Sequence, residues 1–141
     1  LTKAWNEPEG RSYRPSKFYG EERRMAERLP AGEYTVIVIG TKAIELDSGS
    51  KILILQLVVA RGLHRGKRCE KKLFFGFDEE QAAKARFIRM GTVLRSLGTM
   101  QEDAQELVGA LLSIRLYYDE VGRQKVLICR HHGRDDIKKY R

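Results

Sequence analysis

The sequence predicts a mainly β domain whose elements run β-β-β-α-β-β, and three observations predict it. Residues 33–77 hold three runs dense in β-branched and aromatic side chains, separated by glycine-containing turns. Residues 79–97 change to an apolar period of three to four. Residues 111–130 return to alternation, with one glycine turn between two runs. The 141 residues suit one compact domain with tails, since domains commonly run to ~100–150 residues. Hydrophobic residues make up 42% of the chain, enough for a core, which excludes wholesale disorder.

Residues 1–28 read as an arm. They carry no sustained apolar period, and Arg11 to Tyr19 interleaves basic and aromatic residues (RSYRPSKFY). Glu21 to Leu29 (EERRMAERL) is compatible with a short helix. The domain proper is expected over 29–130. Its first strand, Glu33–Ile39, sets Tyr34, Val36 and Val38 against Thr35, Ile37 and Ile39, and Gly40 marks a bulge or sharp bend. Asp47 to Ser50 is a turn. The second strand, Lys51–Ala60, has Leu53, Leu55, Leu57 and Val59 as a wholly apolar face, with Gln56 marking the other. A basic loop from Arg61 to Lys67 leads to a third strand, Arg68–Phe77, with Leu73, Phe75 and Phe77 on one side and Lys72 and Phe74 on the other.

Asp78-Glu79-Glu80-Gln81 resembles a capping box opening a helix over 79–97. Ala83, Phe87, Met90, Leu94 and Leu97 follow at helical spacing, and Gly98 stands at the C′ position. A helical turn is expected over Glu102–Leu107. The fourth strand, Leu111–Tyr118, alternates Leu112, Ile114 and Leu116 with Ser113, Arg115 and Tyr117. A turn at Asp119–Arg123 precedes the fifth strand, Gln124 to about Arg130, and residues 131–141 read as a polar basic tail. Three strands, a helix and two strands is the order of an OB-fold, a partly open five-stranded Greek-key barrel. A plain α+β sheet with a helix on one face is the competing architecture.

The chain has 27 Lys+Arg and 19 Asp+Glu, a formal charge of +8. The excess is uneven. Residues 61–72 carry six basic and one acidic residue, 115–141 eight and four, and 1–32 seven and five; residues 73–114 carry four basic and six acidic. Such a balance favours an anionic partner. No apolar run approaches the ~20 residues of a membrane span, and the N-terminus lacks a signal-peptide order, so a soluble, non-membrane, cytoplasmic protein is expected. Cys69 and Cys129 form no disulfide framework or C-x-x-C pair. With His131 and His132 they supply metal-binding residue types but no compact ligand spacing, so two buried cysteines and a solvated histidine pair are expected, with no metal and no cofactor. There is no glycine-rich phosphate loop followed by G-K-[ST] and no G-x-S-x-G, and the acids cluster where helix capping explains them; no enzymatic activity is expected.

Leu29-Pro30-Ala31-Gly32-Glu33-Tyr34, Ser48-Gly49-Ser50-Lys51, Gly62 through Gly66-Lys67, Leu97-Gly98, Glu106-Leu107-Val108-Gly109 and Asp136-Ile137-Lys138-Lys139-Tyr140 occur in one order. In this the chain resembles a family of phage and prophage proteins encoded beside recombination and replication genes. The resemblance spans about residues 29–140 and implies an OB-fold, non-sequence-specific binding of single-stranded DNA, and its protection and presentation to a recombinase or replisome protein in the bacterial cytoplasm. The first 28 residues lie outside the pattern, and Arg134-Asp135-Asp136 stands where the family has an Asn-containing turn.

Single-strand binding needs cations that track phosphates and aromatic faces on which bases stack. With the leucine faces inward, period two turns Lys72 and Phe74 outward, and Phe74 is the foremost stacking candidate. Arg65, Lys67 and Arg68 supply phosphate contacts from the adjoining loop. Arg115 and Tyr117 share the non-core face of the fourth strand, and Arg123 and Lys125 flank the last hairpin. Phe74 could instead cover a helix or a subunit interface, and Tyr117 could be a cross-strand packing partner. In the arm, Arg11, Tyr13, Arg14, Lys17, Phe18 and Tyr19 are suited either to wrapping nucleic acid or to docking on a neighbouring subunit. The rival functional class is a protein-interaction or oligomerisation module using the arm and an apolar outer face of Ile52, Ile54 and Val58.

Overall fold

The computed structural model describes residues 28–140; the arm candidates Arg11, Tyr13, Arg14, Lys17, Phe18 and Tyr19, and the helix expected from Glu21, lie outside the described residues. The leucine alternation of the second strand survives in three dimensions. In β2 (Lys51–Val59), Leu53, Leu55, Leu57 and Val59 are all fully buried. It pairs antiparallel with β1 (Gly32–Glu45) on one side and β3 (Arg68–Phe75) on the other. β1 pairs with β4 (Ala110–Tyr118), and β4 with β5 (Gln124–Arg134). The spatial order is β3-β2-β1-β4-β5, a mainly β protein whose five antiparallel strands curl into a half-barrel.

β1 bulges between Val38 and Gly40. Gly40 leaves room there for the Gln56 side chain, whose Oε1 lies 2.6 Å from where a Cβ would stand. The bulge does not end the strand, which continues to Glu45, six residues beyond the expected limit. Val36 and Val38 enter the main core, while Ile37 enters a second cluster on the opposite face with Val58, Ala60 and Leu111. Ile137 and Tyr140 pack on that second cluster. They belong to a 3-10 turn, Ile137–Tyr140, after a β5 that runs to Arg134 rather than stopping near Arg130. The C-terminal stretch is therefore docked, not merely polar. Arg134 donates to the carbonyls of Glu106 and Val108, and Asp135 N donates to Gly109 O. Burial of Val58 beside this turn also removes one residue from the apolar outer face; Ile52 and Ile54 are half-buried.

The helix is shorter than its apolar period suggests. α1 spans Glu80–Arg89, with Ala83 and Phe87 buried. It closes in a Schellman motif: Gly91 N donates to Ile88 O and Thr92 N to Phe87 O, both at 3.0 Å. Gly91 has φ +97°, so this glycine, not Gly98, ends the helix. Leu94 and Leu97 reach the same core from non-α backbone, which is why the apolar pattern overran the element. No side chain caps α1; Glu79 Oε1 accepts from Gly76 N, and Glu80 Oε1 accepts from Leu97 N. The capping box falls instead at Ser96 and Thr99. The turn expected over Glu102–Leu107 is present as α2 (Met100–Ala104) followed by a 3-10 turn, Gln105–Leu107. β3 stops at Phe75, and Phe77 is 71% exposed rather than joining Leu73 and Phe75 in the core.

Candidate functional site

β3 and β5 end the sheet order, and the curl brings these two outer strands face to face without a hydrogen-bonded ladder between them. The seam is a trough of about 490 Å³. Glu70, Lys71, Lys72 and Phe74 line it from β3, Lys125 from β5 and Arg123 from the turn before β5, so four cations outnumber one carboxylate. Register explains the β3 side. Phe74 pairs with Ile52 and Lys72 with Ile54, opposite in phase to Leu73, which pairs with Leu53 in the core. Phe74 is thus 67% exposed while its neighbour Phe75 is 4% exposed. Tyr117 pairs with Lys125 across β4 and β5, which puts both on one face; Tyr117 is itself 47% exposed.

The hairpin that presents Arg123 is rigidly built. Asp119 accepts from the backbone N–H groups of Val121 and Arg123 and from Arg123 Nε. The backbone bond from Arg123, followed by its side chain, holds the Asp119 carboxyl below the ordinary range. Part of the Arg123 charge is thereby spent inside the turn. The chain entering β1 is fixed to the same hairpin, with the Arg28 guanidinium 4.1 Å from the Tyr118 ring centre and donating to Gly122 O.

The other expected contacts lie elsewhere. Arg115 shares the outer face of β4 with Tyr117 but borders a different hollow, where it pairs with Glu33 at 3.0 Å. Arg65 stacks over the Tyr140 ring at 5.4 Å, tying the basic loop to the C-terminal turn. In the same loop His64 meets Tyr34 edge to face, with ring centres 5.9 Å apart. Lys67 and Arg68 are exposed and do not line the trough. Lys72, Phe74, Arg123 and Lys125 are therefore brought together, with Tyr117 adjoining, whereas Arg65, Lys67, Arg68 and Arg115 are not.

Lys71 was not among the expected residues, and its phase explains why. It pairs with Leu55, on the core side of β3. A closed barrel would bury that position; at the open seam the long side chain can run over the core edge to solvent. Burial, then the nearby charges of Arg86 and Lys125, push the Lys71 ammonium below its usual range. Arg86 and Arg89 belong to α1, in a segment whose net charge is acidic. Only their spacing beside Phe87 and Met90 signals that they flank the helix's buried stripe.

The cysteines and histidines divide differently from expectation. Cys69 is half-buried, and burial raises its thiol to about 11, which suppresses thiolate chemistry. Cys129 is exposed, in phase with Lys125 and Leu127 on the outer side of β5, and the register shift between Ser113 and Ile114 takes His131 out of that phase. His131 is half-buried, its Nε2 enclosed without a hydrogen-bond partner and its ring against Gly91, where any Cβ would collide with it. His132 is exposed and bonded to Ser113. Among the described residues no three His, Cys, Asp or Glu side chains converge as a metal would require, and no helix is long and apolar enough to cross a membrane.

These features define a mainly β protein with a curled five-stranded sheet and a cationic, aromatic trough along its open seam. The chain belongs to the family described as protein of unknown function (DUF669), whose model matches residues 17–124. That match begins inside the segment read as an arm and stops at the first residue of β5. No curated protein matches the chain.

Proposed function

We propose that this protein is an OB-fold single-stranded-DNA-binding protein of phage type, which coats single strands without sequence preference in replication or recombination. The strand order β3-β2-β1-β4-β5 is that of an OB barrel left open where β3 and β5 would meet. The observation that carries the function is the trough itself. It sets an exposed Phe74 beside Lys72 and opposite Lys125 and Arg123. A phenyl face accepts any base by stacking, worth roughly 1–3 kcal/mol per base, and flanking cations follow the phosphates. A duplex hides its base faces, so the arrangement favours unpaired strands. Bound strand would be shielded from nucleases and kept extended for a recombinase or replisome partner in the cytoplasm of the bacterial host.

Titration of a fluorescent oligonucleotide against its duplex form, at two salt concentrations, tests this. We expect the single strand to bind more tightly, with a log–log salt slope of roughly −0.7 per phosphate contacted. Equal affinity for duplex, or no binding at low salt, would overturn the proposal.

A further inference from the structure

The trough does not end at β5. A second hollow of about 130 Å³ adjoins it between β3, α1 and β5, with Lys71 lining both. Arg86 and Arg89 border this hollow from the last turns of α1, and the half-exposed Leu127 borders it from β5. Both arginines are exposed, and neither they nor Lys71 pairs with a carboxylate among the described residues. Cations in the final turn of a helix do favour its dipole. That accounts for two arginines on α1, but not for a lysine from another element converging on the same hollow. Three like charges gathered with no described counter-charge repel one another; for Lys71, burial first and then the charges of Arg86 and Lys125 disfavour the ammonium form. An anion placed among them removes the repulsion.

We infer that Lys71, Arg86 and Arg89 form a second phosphate-anchoring site, so that a bound strand leaves the β3–β5 trough and crosses onto the C-terminal end of α1. This rests on the nucleic-acid reading above and extends its path to a helix that the strand-and-loop surface does not include. The bases stack in the trough; beyond it the contact is to backbone, with Leu127 offering apolar surface to a sugar.

The test compares two labelled oligothymidylates, of about 4 and about 16 nucleotides, the two ends of the range for one such barrel. The short strand fills the trough; the long one reaches α1. Arg86→Gln/Arg89→Gln keeps strong helix formers at both positions, and its thermal midpoint is checked first. On the long strand we expect severalfold weaker binding and a salt slope smaller by about 1.4, for two lost contacts; on the short strand both stay at the wild-type value. Lys71 lies where the two hollows join, so in Lys71→Gln the slope should fall by about 0.7 on both strands. An unchanged long-strand slope in either variant overturns the inference, as does an equal loss on both strands from the arginine pair, which would be a general effect of charge. If the wild-type protein binds neither strand, the nucleic-acid reading itself fails and this site with it. If the wild type binds and the variants match it, only the second site fails.

Discussion

Two basic regions, the loop from Arg61 to Arg68 and the seam between β3 and β5, divide the positive charge of this protein unequally in use. The loop is the denser in sequence, with four basic residues in eight positions, yet its Arg65 is committed to the Tyr140 ring and its His64 to Tyr34. The seam draws its cations from three separate elements, β3, α1 and β5, and Lys71, Lys72, Arg86 and Lys125 pair with no described carboxylate. The acids that make residues 73–114 net negative do not cancel this. Asp103 is 5% exposed and accepts from Thr99 Oγ1, Arg95 N and Arg95 Nε; burial alone would raise its carboxyl, but these bonds hold it below the ordinary range. Glu80 is engaged by Leu97 N and Lys84. Charge summed along a segment says how much there is, whereas pairing says how much is left for a ligand.

The largest effect expected from breaking the seam comes from its backing rather than its surface. Phe75→Ala should cost about 3–5 kcal/mol of folding stability in urea titrations, while Phe74→Ala leaves the midpoint near wild type and weakens single-strand binding by about 1–3 kcal/mol. The reverse outcome would mean that β3 is out of register by one residue and that the seam described here is not the surface. Next, Asp103→Ala should destabilise by about 1–3 kcal/mol, since it strands the groups it satisfies, yet leave the salt slope of binding unchanged. A changed slope would show that this acid belongs to the binding field after all.

A direct contrast follows. Lys72→Gln/Lys125→Gln should reduce the salt slope by about 1.4, whereas Arg65→Gln should leave it unaltered and cost only about 0.5–1 kcal/mol of stability through its lost ring contact. Equal slopes for the two variants would put loop and seam on the same footing. The smallest effect concerns the C-terminal turn that holds Arg65. Asp135 accepts from Tyr140 Oη, Asp136 N and Lys139 Nζ, and these bonds lower its carboxyl to about 2. A depressed carboxyl stabilises the fold fully above its unfolded value near ~4, and that contribution is lost as pH falls through about 2. Melting curves from pH 5 to pH 2 should therefore decline less steeply in Asp135→Asn than in wild type; parallel declines would show the turn contributes no acid sensitivity.

Much of the architecture was legible because it is periodic. Leu53, Leu55, Leu57 and Val59, and again Leu112, Ile114 and Leu116, state their own face, and Gly40 marks its bulge. The end of α1 was not legible, because Leu94 and Leu97 keep the helical period in backbone that is no longer α-helical. Within the site, Lys72, Phe74 and Lys125 follow from alternation and hairpin register. Lys71 does not, since its phase points to the core and only an open seam makes that position wet. Arg86 and Arg89 needed knowledge of which strand the helix lies beside. The C-terminal turn was hidden by composition, its Ile137 and Tyr140 being outnumbered by charge.

The unclosed seam has a cost of its own. Two strand edges with backbone groups unpaired along the gap are a template on which another extended chain can assemble. Lys71 and Lys72 on one edge and Lys125 on the other are the kind of charge that keeps such strands apart, so the cations assigned to phosphate under the proposed function would also guard the gap against self-association. Neutralising them, by substitution or by concentrated salt, should trade binding for a tendency to aggregate edge to edge.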